Sequence, residues 1–62
     1  MKTVAVLIVD DSPSMRLLLS HILGRDPRIT VMGTVNDGEA AIEFVETANP
    51  RPDVILMDIH MP

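Results

Sequence analysis

The sequence predicts an α/β fold of the doubly wound kind: a β-α-β-α-β run on a parallel three-stranded sheet. Two observations carry that expectation. Two short apolar runs, Val4–Val9 and Val54–Met57, each stop at an aspartate. Two segments with helical apolar spacing, each opened by a capping signal, alternate with the extended runs. Alternation of this kind gives parallel sheets with right-handed crossovers. With the first and third strands adjacent and the second at the edge, the spatial order is 2-1-3 and one helix lies on each face. Ligands in such open sheets bind beyond the carboxyl ends, where the strand order reverses.

Val4-Ala5-Val6-Leu7-Ile8-Val9 is apolar throughout and rich in β-branched residues, as a strand covered on both faces should be. Asp10-Asp11 stop it. Ser12-Pro13 supply an N-cap and a first-turn proline whose missing N–H costs nothing. Met15, Leu18, Leu19 and Ile22 follow at helical spacing, with Arg16, Ser20 and His21 in polar positions. Gly24 is expected to close this helix in the left-handed conformation, and Asp26-Pro27 prevents its resumption.

Ile29 to Val35 alternates imperfectly and holds two threonines and a glycine, which suits an edge strand. Asn36-Asp37-Gly38 reads as a turn and cap. A second helix fits Glu39 to Ala48, with Ala41, Ile42, Val45 and Ala48 on its buried stripe and Phe44 beside it. Glu39 near its start suits the helix dipole. Asn49-Pro50-Arg51-Pro52 breaks the helix, and Asp53 to Asp58 forms the third extended run. Met57 is expected to be buried, Met15 and Met32 to lie in or near the core, and His21 to be a surface imidazole.

Hydrophobic residues make up 47% of the 62 and charged residues 23%, too apolar a mixture for a disordered tail. A chain of this size buries only roughly 60% of the surface it exposes when unfolded. No cysteine is present to reinforce so small a core. Nine acids against five bases give a net charge of -4, which argues against direct binding to nucleic acid or anionic membranes. The apolar run Val4–Val9 falls far short of the ~20 residues of a membrane helix. It is also too short for a secretory h-region, and no small-residue cleavage site follows. A cytoplasmic chain is expected. Neither Gly-x-Gly-x-x-Gly nor a P-loop occurs, which disfavours nucleotide binding.

Asp10, Asp11 and Asp58 all sit where an apolar strand ends, on strands expected to be neighbours. Carboxylates gathered at one sheet edge repel one another and call for a cation. Hard oxygen donors suit Mg²⁺, which takes one or two carboxylates, a carbonyl and several waters. An ion there would neutralise charge on an incoming phosphoryl group and leave one carboxylate as a nucleophile. Strand-terminal aspartates can equally be solvated ends or helix caps. That alternative weighs most on Asp11, directly before Ser12-Pro13.

Three segments carry a family resemblance: Val6-Leu7-Ile8-Val9-Asp10-Asp11-Ser12-Pro13-Ser14-Met15-Arg16, Gly33-Thr34-Val35-Asn36-Asp37-Gly38-Glu39-Ala40, and Pro52-Asp53-Val54-Ile55-Leu56-Met57-Asp58-Ile59-His60-Met61-Pro62. In order, they resemble the receiver domains of response regulators in two-component signalling, over essentially the whole chain. Asp26-Pro27-Arg28-Ile29 is similar to the stretch before strand 2 in receivers of chemotaxis methylesterases. The resemblance implies a flavodoxin-like fold in which Asp58 is the phospho-acceptor and a Mg²⁺ ligand. Asp11 would bind Mg²⁺ directly, Asp10 through water, and His60 through its backbone carbonyl. The His60 side chain itself is read as solvent-facing in its loop, with a place bordering the phosphoryl site as the alternative. The phosphodonor it implies is a histidine kinase.

The family pattern has five strands in the order 2-1-3-4-5. Its Ser/Thr after strand 4, its Lys after strand 5 and its aromatic switch position have no counterpart within residues 1–62. The chain is therefore expected to be the amino-terminal part of a single receiver domain, a truncated doubly wound unit impaired in phosphorylation by itself. Its exposed third strand should favour a homo-oligomer. It is not expected to be an enzyme beyond gain and loss of phosphate at Asp58, and methylesterase activity would need a longer chain carrying a Gly-x-Ser-x-Gly elbow. One competing reading is a self-associating structural fragment with an idle acid cluster. Another, an aspartyl-nucleophile phosphohydrolase, is disfavoured because Ser12 stands where the second acid of an Asp-x-Asp pattern would fall.

Overall fold

β1 (Val4–Val9) is the middle strand of a three-stranded sheet in a computed structural model that describes residues 2–58. Its neighbours are β2 (Ile29–Val35) and β3 (Val54–Met57), both parallel to it, in the order β2-β1-β3. The helices α1 (Pro13–Gly24) and α2 (Gly38–Thr47) form the two crossovers. The predicted class and strand order are therefore those of the structure.

The core is β1 itself. Leu7, Ile8 and Val9 are fully buried and Val6 nearly so. Alternate side chains of a strand point to opposite faces. Leu7 and Val9 pack with Ala41, Phe44 and Val45 of α2 and with Val35, while Val6 and Ile8 point to the face where α1 lies against β1 and β2. Each such burial stabilises the fold by ~1.5–3 kcal/mol, which is why the central strand tolerates no polar residue.

α1 starts as its sequence dictates. The Ser12 hydroxyl accepts a hydrogen bond from the Met15 N–H at 3.3 Å, and Pro13 occupies the first turn. Its end differs from expectation. Gly24 is the last helical residue and takes no left-handed conformation; the chain leaves through Arg25 at φ -78°. The Arg25 and Asp26 N–H groups donate to the Ile22 and Leu23 carbonyls, so tightened i→i−3 bonds satisfy the helix end instead. The buried face is also rotated from the predicted stripe. Arg16, Leu19, Ser20 and Leu23 are half-buried, whereas Met15, Leu18 and Ile22 are 42%, 49% and 53% exposed. The apolar stripe is wider than the strip of sheet beneath it.

In β2 the register slips by one residue. Val6 pairs with Val31 and Leu7 with Gly33, leaving Met32 as the extra residue of a bulge. The slip delivers Gly33 beneath the Phe44 ring, where a Cβ would stand 2.7 Å from Phe44 Cε2. Only glycine lets the ring this close, and Phe44 thereby joins the core. Ile42, expected on the buried stripe, is instead exposed. Asp37 caps α2, its Oδ1 accepting from the Ala40 N–H at 2.7 Å, and the helix starts and ends one residue earlier than predicted.

β3 is latched before it begins. The Asp53 N–H donates to the Ala5 carbonyl and the Ala5 N–H donates to Asp53 Oδ2, both at 2.8 Å. Beyond this clasp Val54, Ile55, Leu56 and Met57 are each at least 40% exposed. Met57 is thus not buried. β3 is an edge strand, and among the described residues nothing covers its outer side. An open apolar groove of about 410 Å³ runs between α2 and β3, lined by Ala41, Ile42, Val45, Ile55 and Met57 among others. No helix among the described residues is long and apolar enough to cross a membrane.

Candidate functional site

Parallel pairing aligns the carboxyl ends of β1 and β3. Val9 is opposite Met57, so Asp10 and Asp58 leave the sheet side by side. The ladders run one residue past the strands: the Asp10 N–H donates to the Val35 carbonyl and the Asp58 N–H to the Val9 carbonyl, each at 3.1 Å. These bonds fix the backbone of both aspartates at the point where the strand order reverses. One carboxylate oxygen from each of Asp10, Asp11 and Asp58 lies within 4.8 Å of the others.

The three differ in setting. Asp10 is buried, Asp58 half-buried and Asp11 exposed. A buried carboxylate is costly unless hydrogen-bonded. Asp10 Oδ1 accepts from the Ser12 N–H at 2.9 Å, and the Asp10 main-chain carbonyl accepts from Arg16 Nη1 at 2.7 Å. Asp10 is no solvated strand end, and the cap of α1 is Ser12, not Asp11.

Two ionised carboxylates 4.8 Å apart repel by about 3.5 kcal/mol at an effective dielectric of about 20. An all-oxygen set of mixed burial fits a small hard divalent ion that keeps part of its water shell. Asp10, Asp11 and Asp58 are thus brought together as the sequence suggested. His60 lies outside the described residues. His21 is exposed in the last turn of α1, as expected for a surface imidazole. The sequence reading missed Arg16, placed among the polar positions of α1 when it reaches back to the end of β1. Its location six residues after Asp10, within the first helical turn, was the available signal.

The response regulator receiver domain matches residues 6–62 of the chain. The chain belongs to this family. Its similarity to methylesterase receivers is equally direct. Over 57 residues the receiver is 58% identical to the protein-glutamate methylesterase/protein-glutamine glutaminase of Nitrosospira multiformis, covering 92% of this chain and 16% of the relative. Over 59 residues it is 56% identical to the corresponding protein 4 of Geobacter metallireducens, covering 95% of this chain and 16% of the relative. A Geobacillus kaustophilus protein of the same description is 47% identical over 62 residues, all of this chain and 17% of its own length. The receiver chain thus spans about 16% of the length of the first two relatives. No solved structure matches it significantly.

Proposed function

We propose that this receiver accepts a phosphoryl group on Asp58 from a histidine kinase, with Mg²⁺ held by Asp58, by Asp11 directly, by Asp10 through water and by the His60 carbonyl. The observation that supports this reading is the meeting of three carboxylates within 4.8 Å at the reversal point of the sheet. A Mg²⁺ bound there supplies positive charge against the oxygens of the incoming phosphoryl group. The chain's own work is positional. The ladder bond from the Asp58 N–H holds the nucleophile at the sheet edge, and the Ser12 N–H holds Asp10. An Asp58 carboxylate oxygen attacks phosphorus; the new O–P bond forms as the donor's P–N bond breaks, and that electron pair leaves with the donor imidazole.

Residues 1–62 act in this reading as the amino-terminal part of one cytoplasmic receiver domain. Lys2, the sole lysine, precedes β1 at the opposite end of the strand from the acids. The transferred group gains no ammonium partner from it, and transfer to this chain alone is slow. Incubation with Mg²⁺ and a small phosphodonor should add one phosphate by mass, and Asp58→Asn should abolish it. Phosphate retained in that variant would refute the acceptor.

A second reading rests on β3. Four consecutive apolar residues at 40–47% exposure on an open edge favour pairing with a second copy of the chain. In that reading the chain is a self-associating structural unit and the acids are idle.

A further inference from the structure

Arg16 is set against the dipole of its own helix while its guanidinium reaches the acidic end of β1. It lies in the first turn of α1, where the helix dipole is positive and repels cations, and no acidic residue of that turn offsets it. It is nevertheless half-buried, and its Nη1 donates to the Asp10 carbonyl at 2.7 Å, the short distance of a charge-assisted hydrogen bond. The carbonyl it holds belongs to the peptide unit joining Asp10 to Asp11. Fixing that plane restrains the backbone from which Asp11, an exposed residue, projects. Asp10 has its own restraint in the Ser12 N–H.

We infer that Arg16 is a positioning residue for the acid cluster: by clamping the Asp10–Asp11 peptide it aims the Asp11 carboxylate at the point shared with Asp10 and Asp58. This rests on the metal-binding reading of those acids. Its effect opposes the simple effect of its charge. A guanidinium near a cation site weakens cation binding by repulsion, so removing the charge alone would strengthen it. Loss of an outer group that orients a ligand weakens binding, commonly by 10–100-fold. The sign of the change separates the two.

The test uses the isotope-labelled chain, first free of divalent cations and then titrated with Mg²⁺, with NMR signals of the Asp10 carbonyl carbon and the Asp11 amide as readout. Arg16→Met keeps an apolar stem but loses donor and charge. It should displace both signals in the cation-free chain, leave the β2 amides in place, and weaken Mg²⁺ binding roughly tenfold or more. Arg16→Lys keeps the charge with a single donor point and should recover part of both effects. Unmoved Asp10 and Asp11 signals in Arg16→Met, or Mg²⁺ binding equal to or tighter than in the unsubstituted chain, would overturn the inference. If the unsubstituted chain binds no Mg²⁺, the metal reading of the cluster fails, and the cation-free signals still decide whether Arg16 sets the Asp10–Asp11 peptide.

Discussion

The Phe44 ring rests on the backbone of Gly33, with its Cε2 and Cζ 2.7 and 2.9 Å from where a Cβ would stand. The contact joins α2 to the edge strand. Gly33→Ala forces the ring or the bulge to move and should cost ~1–3 kcal/mol in denaturant unfolding. Gly33→Ala combined with Phe44→Leu should cost less than the sum of the single changes, because the smaller side chain makes room. Additive costs would show that the two residues do not press on each other.

Mg²⁺ should stabilise the chain through Asp10, Asp11 and Asp58. Ligand at 100 times its dissociation constant adds about 2.7 kcal/mol. The melting temperature should therefore rise with Mg²⁺, return on chelation, and respond far less in Asp11→Asn. An equal response in that variant would remove Asp11 from the ligand set.

Ser12 caps α1 through its hydroxyl. Ser12→Ala should cost ~1 kcal/mol of stability. The backbone N–H that holds Asp10 survives the change, so Mg²⁺ affinity should hold within a factor of a few. A large fall in affinity would mean that the cap also sets the acid geometry.

Between α1 and β2, Asp26 accepts hydrogen bonds from the Arg28 side chain and N–H, which hold its carboxyl down at about 2 against an ordinary 3.8. A carboxyl whose folded value is depressed contributes stability that is whole above its unfolded value and lost as pH falls through the folded one. This contribution should fade between about pH 4 and pH 2. The pair is solvent-exposed, with Arg28 at 72%, so salt should shrink the effect. Acid titrations of unfolding for the parent and Arg28→Ala should diverge above pH 4 and converge towards pH 2. Parallel curves would show that the pair contributes nothing.

If β3 pairs with a second copy, light scattering should report a mass that rises with concentration in the micromolar range. Leu56→Lys, which places a charge on the exposed edge strand, should return it to the monomer value. A compact monomer melting cooperatively at every concentration would eliminate self-association through this edge.

The strand order and the meeting of Asp10, Asp11 and Asp58 were legible because unbroken apolar runs ending in acids constrain both strand position and the edge where the acids emerge. Exposure was less legible. Spacing told which faces of α1, α2 and β3 are apolar but not which of them another element reaches, and so Met15, Ile42 and Met57 were wrongly placed inside. Gly24 misled because tightened turns can finish a helix as well as a left-handed residue can. Arg16 was hidden for a different reason. A long side chain can lie on one face and bond beyond it, which periodicity does not report.

The clasp between Asp53 and Ala5 works like the zero mark of a ruler. Five residues further on, at roughly 3.3 Å per residue, the scale reads Asp58 level with Asp10. A slip of a single notch would carry the Asp58 carboxylate to the opposite face. An aspartate roughly 16 Å along the strand thus sets whether the carboxylates of Asp10 and Asp58 meet at all.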